Sequence, residues 1–301
     1  MAGKIRRFAA VIALGTILLL GMVVLALSYT EVGITSEIGS GGVSPTYDLS
    51  SVPEGVAEDA TRLATELFGD YQEQCDVFVN QLLAMYSETK DTDFVIFSNP
   101  GGWGWNLAEA SAGWGSILSG INSELDRSGY KTVLLDYRRT GETLRGCVDE
   151  TVEMMASYPS KARDLAVRVE FLTDNIPELR VIIVGESNGT VISDSAMNIL
   201  EDNPRVYSIQ TGPPFWHTNL MLDRTLVITD NGIMPDSFSQ GDFLTLIWSN
   251  LKSVFGLSQP EDDSGRILYY VRAPGHEYRW NYPGVYSEIL TFLRQNFGTK
   301  W

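Results

Sequence analysis

The sequence predicts an α/β protein with a mostly parallel sheet of about six strands flanked by helices, preceded by an N-terminal transmembrane helix. Two observations predict the sheet. Short apolar strands such as Phe94–Ser98 and Val181–Gly185 alternate with longer amphipathic segments, and both faces of these strands are apolar. Strands separated by helices need crossover connections, which are typical of a parallel sheet covered on both faces. A third observation, an uncharged apolar run over residues 8–27, predicts the membrane helix.

The apolar run is long enough to cross a bilayer. Twenty helical residues span roughly 30 Å, which is the thickness of the hydrocarbon core. The run is also longer than the apolar part of most signal peptides. Basic residues precede it and acidic residues follow it, which places the N-terminus in the cytoplasm and the rest of the chain outside. A secreted protein, released by cleavage near Ala26-Leu27-Ser28, is the alternative.

This interpretation divides the chain into four parts. They are a cytoplasmic stub (1–7), a transmembrane signal anchor (8–28), a flexible tether (29–55) and a folded domain (56–301) that starts with a helical extension. The tether is rich in Gly, Ser, Thr and Pro, a composition that favours a flexible linker.

Within the domain, hydrophobic periodicity predicts the order of the elements. The predicted helices are 56–68, 71–88, 111–128, 149–175, 188–202, 240–256 and 283–297. The predicted strands are Phe94–Ser98, Thr132–Asp136, Val181–Gly185, Val206–Gln210, Thr225–Thr229 and Ile267–Arg272.

Composition and charge exclude some classes of partner. The 301 residues include 22 Lys and Arg against 38 Asp and Glu, a formal charge of −16. Because such a surface repels phosphate backbones, we expect no nucleic acid partner. Cys75 and Cys147 would face an oxidising compartment, where both a disulfide and two free thiols are open to them. No ligand-spaced His accompanies either cysteine, and we expect no metal and no cofactor.

A candidate nucleophile lies directly after the strand VIIVG. The segment Gly185-Glu186-Ser187-Asn188-Gly189 matches the pattern G-x-S-x-G, between a predicted strand and a predicted helix. A serine on such a sharp turn is strained, and side chains in place of Gly185 or Gly189 would collide with neighbouring backbone. The turn exposes the Ser187 hydroxyl above the sheet, at the positive end of the following helix. A glycine-rich structural turn is the alternative reading.

A serine hydroxyl needs a base, and the base needs a carboxylate. The chain has two histidines. His276 follows the last predicted strand and is favoured as the base over His217. Asp230 follows the strand TLVIT and is favoured as the acid, with Asp236 as its alternative.

Another strand end offers backbone donors for a negatively charged oxygen. Phe94–Ser98 runs into Asn99-Pro100-Gly101-Gly102-Trp103-Gly104, where glycines let peptide N–H groups approach a reacting atom. The predicted oxyanion donors are the N–H of Asn188 and that of Gly102 or Trp103. A phosphate-binding loop is the competing interpretation, but the loop lacks the lysine and the glycine spacing of that motif.

Together these segments resemble the α/β-hydrolase fold, over roughly residues 92–297. The resemblance rests on strand–NPGGWG, on DYRRTG after the next strand, on strand–GESNG–helix, and on Gly275-His276 after the last strand. It implies a Ser–His–Asp triad and an acyl-enzyme mechanism. The sequence departs from the family at three points. Asn99-Pro100 replaces a common His, Ile233 occupies the usual position of the Asp, and helices 56–88 replace the first strands.

The resulting hypothesis is a membrane-anchored serine hydrolase that cleaves an ester, thioester or amide, with a carboxylic ester favoured. An acyltransferase with the same triad and a non-catalytic binding domain on this scaffold are the alternatives. The expected partner is a small or lipid-like acyl substrate. Aromatic residues near the loops would line its pocket or belong to the core: Trp103, Trp105, Trp114, Phe215 and Trp216. A short segment, 211–224, is the candidate lid, and the oligomeric state stays open.

Overall fold

The computed structural model describes residues 52–104, 112–140, 144–220, 222–268 and 271–298. No helix within these ranges is both long and apolar enough to cross a membrane. The predicted membrane segment, nearly all of the predicted tether, and Trp105 lie outside the described residues.

The described chain alternates helices and strands. The helices are α1 (Glu54–Phe68), α2 (Gln72–Thr89), α3 (Ala112–Arg127), α4 (Leu144–Met155), α5 (Pro159–Asn175), α6 (Asn188–Ile199), α7 (Phe243–Val254) and α8 (Pro283–Asn296), with a 3₁₀ turn at Pro260–Asp263. The strands are β1 (Phe94–Asn99), β2 (Thr132–Asp136), β3 (Arg180–Glu186), β4 (Val206–Thr211), β5 (Thr225–Ile228), β6 (Arg266–Leu268) and β7 (Val271–Arg272).

The central sheet has five strands in the order β2-β1-β3-β4-β5, and every neighbouring pair is parallel. The predicted parallel sheet with flanking helices is confirmed, as is the burial of its central strands. All six residues of β1 are buried, and so are five of the seven in β3. The two strands pair with each other at the middle of the sheet, where helices cover both faces.

The predicted sixth strand is wrong as a member of this sheet. The segment predicted at Ile267–Arg272 forms β6 and β7, a small antiparallel ribbon of its own. The side chain of Asn250 on α7 explains part of this. It donates to the Arg272 carbonyl at 2.9 Å and accepts from the Arg272 N–H at 3.0 Å. The backbone N–H and C=O of Arg272 therefore form hydrogen bonds with a side chain and not with a strand of the central sheet.

Two apolar layers enclose the sheet. Val95 and Phe97 of β1 face a core formed with α1, α2, α5 and α6. Phe94 and Ile96, the alternate residues, face a second core formed with α3 and α8. This alternation follows from the two-residue period of a strand and gives a three-layer arrangement. The helical extension predicted at 56–88 lies in the first layer, as α1 and α2.

The helix predicted at 149–175 is interrupted. Ser157 and Tyr158 have positive φ angles of 64° and 57°, between the end of α4 and the start of α5. Pro159 follows at the first position of α5, where its missing N–H has no intrahelical partner to lose. The proline and the two left-handed residues therefore separate two helices that apolar periodicity alone joins.

The cysteines are not joined in the described structure. Cys75 is buried in α2, Cys147 is half-buried in α4, and both are free thiols. Of the two states that the sequence leaves open, the structure has the reduced one.

The parallel strands bring four loops to one edge of the sheet. In the register of the central strands, Asn99 pairs with Gly185 and Glu186 pairs with Thr211. The chain leaves β1, β3, β4 and β5 at their carboxyl ends, which is where ligands bind in sheets of this kind.

Candidate active site

Ser187 lies on a sharp turn between β3 and α6. Its φ and ψ are 49° and −119°, a conformation that non-glycine residues rarely adopt. The flanking glycines are required by close packing. A Cβ on Gly189 would lie 2.1 Å from the Asn99 carbonyl oxygen, and one on Gly185 would lie 2.6 Å from Ser193 Oγ. The local geometry is thus the strained strand-to-helix turn that the sequence predicts.

His276 contacts both the serine and a carboxylate. Its Nε2 lies 3.1 Å from Ser187 Oγ, and its Nδ1 lies 2.8 Å from Asp236 Oδ2. The three side chains are buried, although they come from segments up to 89 residues apart. This is the geometry of a nucleophile, a base and an orienting acid.

The preference for Asp230 as the acid is corrected by this geometry. Asp230 is exposed, and its Oδ1 accepts the backbone N–H of Gly232 at 2.8 Å. It acts as a turn residue, a common use of Asp. Asp236, the alternative, contacts His276.

Asp236 is surrounded by donors. Its Oδ1 accepts the backbone N–H groups of Phe238 and Ser239. Its Oδ2 accepts the Ser239 hydroxyl at 2.7 Å and the Tyr278 hydroxyl at 2.8 Å, in addition to His276. Burial alone would raise the pKa of Asp236, but the hydrogen bond and charge of His276, together with Ser239, hold that pKa below its usual value of 3.8. The carboxylate therefore stays ionised at neutral pH.

Several contacts join the loop of Asp236 to the loop of His276. Gly275 has φ +83°, and a Cβ there would lie 2.1 Å from the Pro235 carbonyl oxygen. The Asn231 amide donates to the carbonyls of Gly275 and Glu277 at 2.9 and 3.0 Å. Asn231 was missed at the sequence level, because its partners lie more than 40 residues along the chain.

The loop after β1 lies beside Ser187. A Cβ on Gly101 would be 3.1 Å from Ser187 Cβ. The Arg139 guanidinium donates to the carbonyls of Pro100 and Gly102, the latter at 3.1 Å. Because N–H and C=O of a trans peptide point in opposite directions, the N–H groups of Gly101 and Trp103 are turned away from Arg139. Of the donors predicted in this loop, the N–H of Trp103 belongs to the peptide whose carbonyl Arg139 binds.

Arg139 is a buried residue beside the candidate site to which the sequence analysis assigns no role. It belongs to the DYRRTG segment, which entered the resemblance without a role. Its side chain is 0% exposed, and its Nε donates to Glu150 Oε1 at 2.6 Å. Its terminal nitrogen also donates to Asn99 Oδ1 at 3.0 Å. The Asn99 amide in turn donates to the Gly189 carbonyl at 2.8 Å, so the loop is tied to the turn of Ser187.

Glu186 is a second residue without a predicted role. Its carboxylate lies 3.4 Å from the N–H of Gly101. Burial raises the pKa of Glu186, against the lowering effects of His276 and the Gly101 N–H. The side chain thus places a partly buried acid beside the candidate oxyanion loop.

The other residues that the sequence singles out lie in different parts of the fold. His217 contacts Asp194 Oδ2 at 2.9 Å, which anchors the 212–220 loop to α6. Trp114 is a core residue of the second layer and not a pocket residue. Trp216 belongs instead to an aromatic cluster that reaches His276. In this cluster the ring of Phe238 lies 5.3 Å from Trp216 and 4.9 Å from His276.

Among the described residues, no group of three or more His, Cys, Asp or Glu side chains could hold a metal ion. The chemistry that these side chains can perform is proton transfer from a serine to a histidine held by an ionised aspartate.

Comparisons with known proteins add little to this geometry. No protein-family model matches the chain, and no curated protein matches it. Solved structures with a similar arrangement include a cutinase of Trichoderma reesei in complex with a C11Y4 phosphonate inhibitor. The match covers 64% of this chain and 82% of the cutinase, at 11% identity and a TM-score of 0.37. The sheet and its flanking helices are consistent with the α/β-hydrolase fold.

Proposed function

We propose that the chain is a serine hydrolase that cleaves carboxylic esters through an acyl-enzyme on Ser187. One observation carries the proposal: His276 lies between Ser187 Oγ at 3.1 Å and Asp236 Oδ2 at 2.8 Å. A buried serine with no base would be inert, whereas this arrangement supplies a base in the correct orientation.

In the proposed reaction, Ser187 Oγ attacks the ester carbonyl while its proton moves to His276 Nε2. The imidazolium then donates this proton to the leaving alkoxide, and the C–O bond of the ester breaks. Water attacks the acyl-enzyme with His276 again as the base, which releases the acid and restores the serine. Asp236 holds the Nδ1 proton and stabilises the imidazolium throughout.

The oxyanion would be bound by backbone N–H groups. The candidates are Asn188 at the start of α6 and Trp103 in the loop held by Arg139. Removing one such donor in a hydrolase costs about 10²–10³ in kcat, so the positions of these peptides matter as much as the nucleophile.

An active-site label tests the proposal. A fluorophosphonate forms a bond from phosphorus to an activated serine oxygen and releases fluoride. We expect the wild-type chain to be labelled and Ser187→Ala to remain unlabelled, because the displacement needs a serine oxygen whose proton His276 can remove. Ser195→Ala, the same change on the helix that follows, α6, is the control and is expected to label fully. Absence of labelling in the wild type, or equal labelling of Ser187→Ala, contradicts the proposal.

The proposal includes the location of the domain. Residues 8–28 anchor it, with the domain on the outer side, because the run is uncharged and is preceded by basic residues. We expect the full-length chain to remain in the membrane pellet after an alkaline carbonate wash. A shorter, soluble product cleaved near Ala26-Leu27-Ser28 would contradict the anchor and favour the secreted alternative.

A further inference from the structure

Helix α7 attaches to the domain through its polar side. Ser249 is its buried residue, and Asn250 binds both backbone groups of Arg272. Lys252 Nζ lies 3.0 Å from Asp262 Oδ1. A helix that packs on a protein core normally buries its apolar stripe and exposes its polar one. In α7 this arrangement is inverted.

The outer side of α7 is apolar along its whole length. Leu244 is 82% exposed and Trp248 is 61% exposed. The outer face continues past the helix end and consists of exposed apolar residues at helical spacing: Phe243, Leu244, Ile247, Trp248, Leu251, Val254, Phe255 and Leu257. In the described part of the chain these side chains remain exposed, Leu244 and Val254 most of all. An exposed patch of this kind marks an interaction surface.

The outer face is continuous with the candidate active site. The ring of Phe243, at the start of α7, lies 4.8 Å from that of Phe215. Phe215 lies 6.0 Å from Phe238, and Phe238 lies 4.9 Å from His276. A chain of aromatic contacts therefore leads from α7 to the base beside Ser187.

We infer that the outer face of α7 lies in the surface of a lipid bilayer and holds the Ser187 site against that surface. The acyl group of a membrane lipid would reach Ser187 along the aromatic contacts, and this choice of substrate rests on the proposed function. Trp, Phe and Leu, which form much of the outer face, are residue types that a helix lying in the interfacial plane buries in lipid. The helix would insert without leaving the domain.

The low charge of the outer face and the length of the predicted tether favour a bilayer over other occupants. The segment 243–257 carries one charge, Lys252, which is already paired with Asp262. Contact therefore needs no anionic lipid. A second copy would bring together two chains of formal charge −16. The proposed anchor supplies a nearby membrane, since a predicted tether of 27 residues (29–55) would have, as a flexible linker, a root-mean-square length of about 29 Å.

An environment-sensitive label on the full-length chain tests the contact. The two native cysteines are removed by Cys75→Ala and Cys147→Ser, and a single cysteine is introduced by Leu244→Cys. This cysteine is labelled with an NBD fluorophore, and the protein is reconstituted into phosphatidylcholine proteoliposomes. The matched control is Ile199→Cys, 52% exposed at the far end of α6, about 18 Å along the helix from Ser187. We expect bromine-substituted phosphatidylcholine to quench the label at 244 and to leave the label at 199 unchanged.

Other outcomes overturn the inference. No quenching at 244 means that the outer face of α7 does not touch lipid, and equal quenching at both positions means that the domain has no preferred contact with lipid through α7. A label at 244 that is shielded from an aqueous quencher but insensitive to brominated lipid means that another occupant covers the helix. Both readouts need no catalysis, so they stand even if the hydrolase proposal fails.

A second measurement connects the contact to turnover. The double variant Leu244→Glu, Val254→Glu is expected to cleave a bilayer-embedded acyl ester at least about tenfold more slowly, because charged side chains withdraw the helix from the interface. Cleavage of a short, soluble ester should be unchanged, as should both rates in Ile199→Glu. Equal rates on the embedded ester would overturn the inference. A wild-type chain that cleaves neither ester would instead contradict the hydrolase proposal.

Discussion

Asp236→Asn is expected to lower kcat for a soluble ester about 10⁴-fold, with little change in KM. The reason is the arrangement of donors around this side chain. Two backbone N–H groups, of Phe238 and Ser239, point at Oδ1 and need an acceptor. The amide oxygen of an introduced Asn would take that position, which places the NH₂ group against His276.

This orientation of the amide selects the wrong tautomer of the base. An NH₂ group donates, so His276 Nδ1 must accept, and the ring proton moves to Nε2. A protonated Nε2 of a neutral imidazole cannot remove the proton of Ser187 Oγ, 3.1 Å away. The second amide hydrogen can be accepted by the hydroxyl of either Tyr278 or Ser239 after it rotates, so we expect the fold to be retained while turnover falls.

Asp230→Asn is the matched control, since it makes the same chemical change at the other candidate acid. Its carboxylate accepts one exposed backbone N–H, from Gly232, and an amide oxygen can do the same. We expect wild-type kcat. Steady-state kinetics on both variants settles the acid: a strong loss in Asp230→Asn, or wild-type turnover in Asp236→Asn, would contradict the site as described.

The sheet could be predicted from the sequence where strand burial is complete. β1 and β3 have apolar residues on both faces, and no other element gives that pattern in so short a run. The predicted sixth strand had a similar local pattern, but the Asn250 side chain holds the backbone of Arg272. That competition depends on where α7 packs, which a local pattern does not contain.

The site was predictable to the extent that its residues follow strand ends. Ser187 and His276 could be found because a glycine-flanked turn and a scarce residue type mark them. The acid could not, because proximity to the strand end favours Asp230, while Asp236 lies six residues further along the same loop. The close contact of Gly275 with Pro235 brings Asp236 to His276. This packing requirement appears only in three dimensions.

The second large effect is expected at Arg139, in the loop beside Ser187. Arg139→Met should lower the free energy of unfolding by about 3–5 kcal/mol, because it leaves the Glu150 carboxylate buried without its cationic partner. Glu150 is 1% exposed and would keep the Thr140 hydroxyl at 2.7 Å as its remaining partner among these contacts. Urea unfolding followed by circular dichroism measures the loss.

The double variant Arg139→Met, Glu150→Met separates stability from positioning. Removing both charges eliminates the unpaired carboxylate, so stability should rise well above that of Arg139→Met. The carbonyls of Pro100 and Gly102 would still lack their donor, and the peptides that they belong to would lose their orientation. Turnover should therefore stay about 10²–10³-fold below wild type, the loss expected from a misplaced oxyanion donor. If turnover returned together with stability, Arg139 would be a stabilising residue only, and the oxyanion loop would be positioned by other contacts such as those of Asn99.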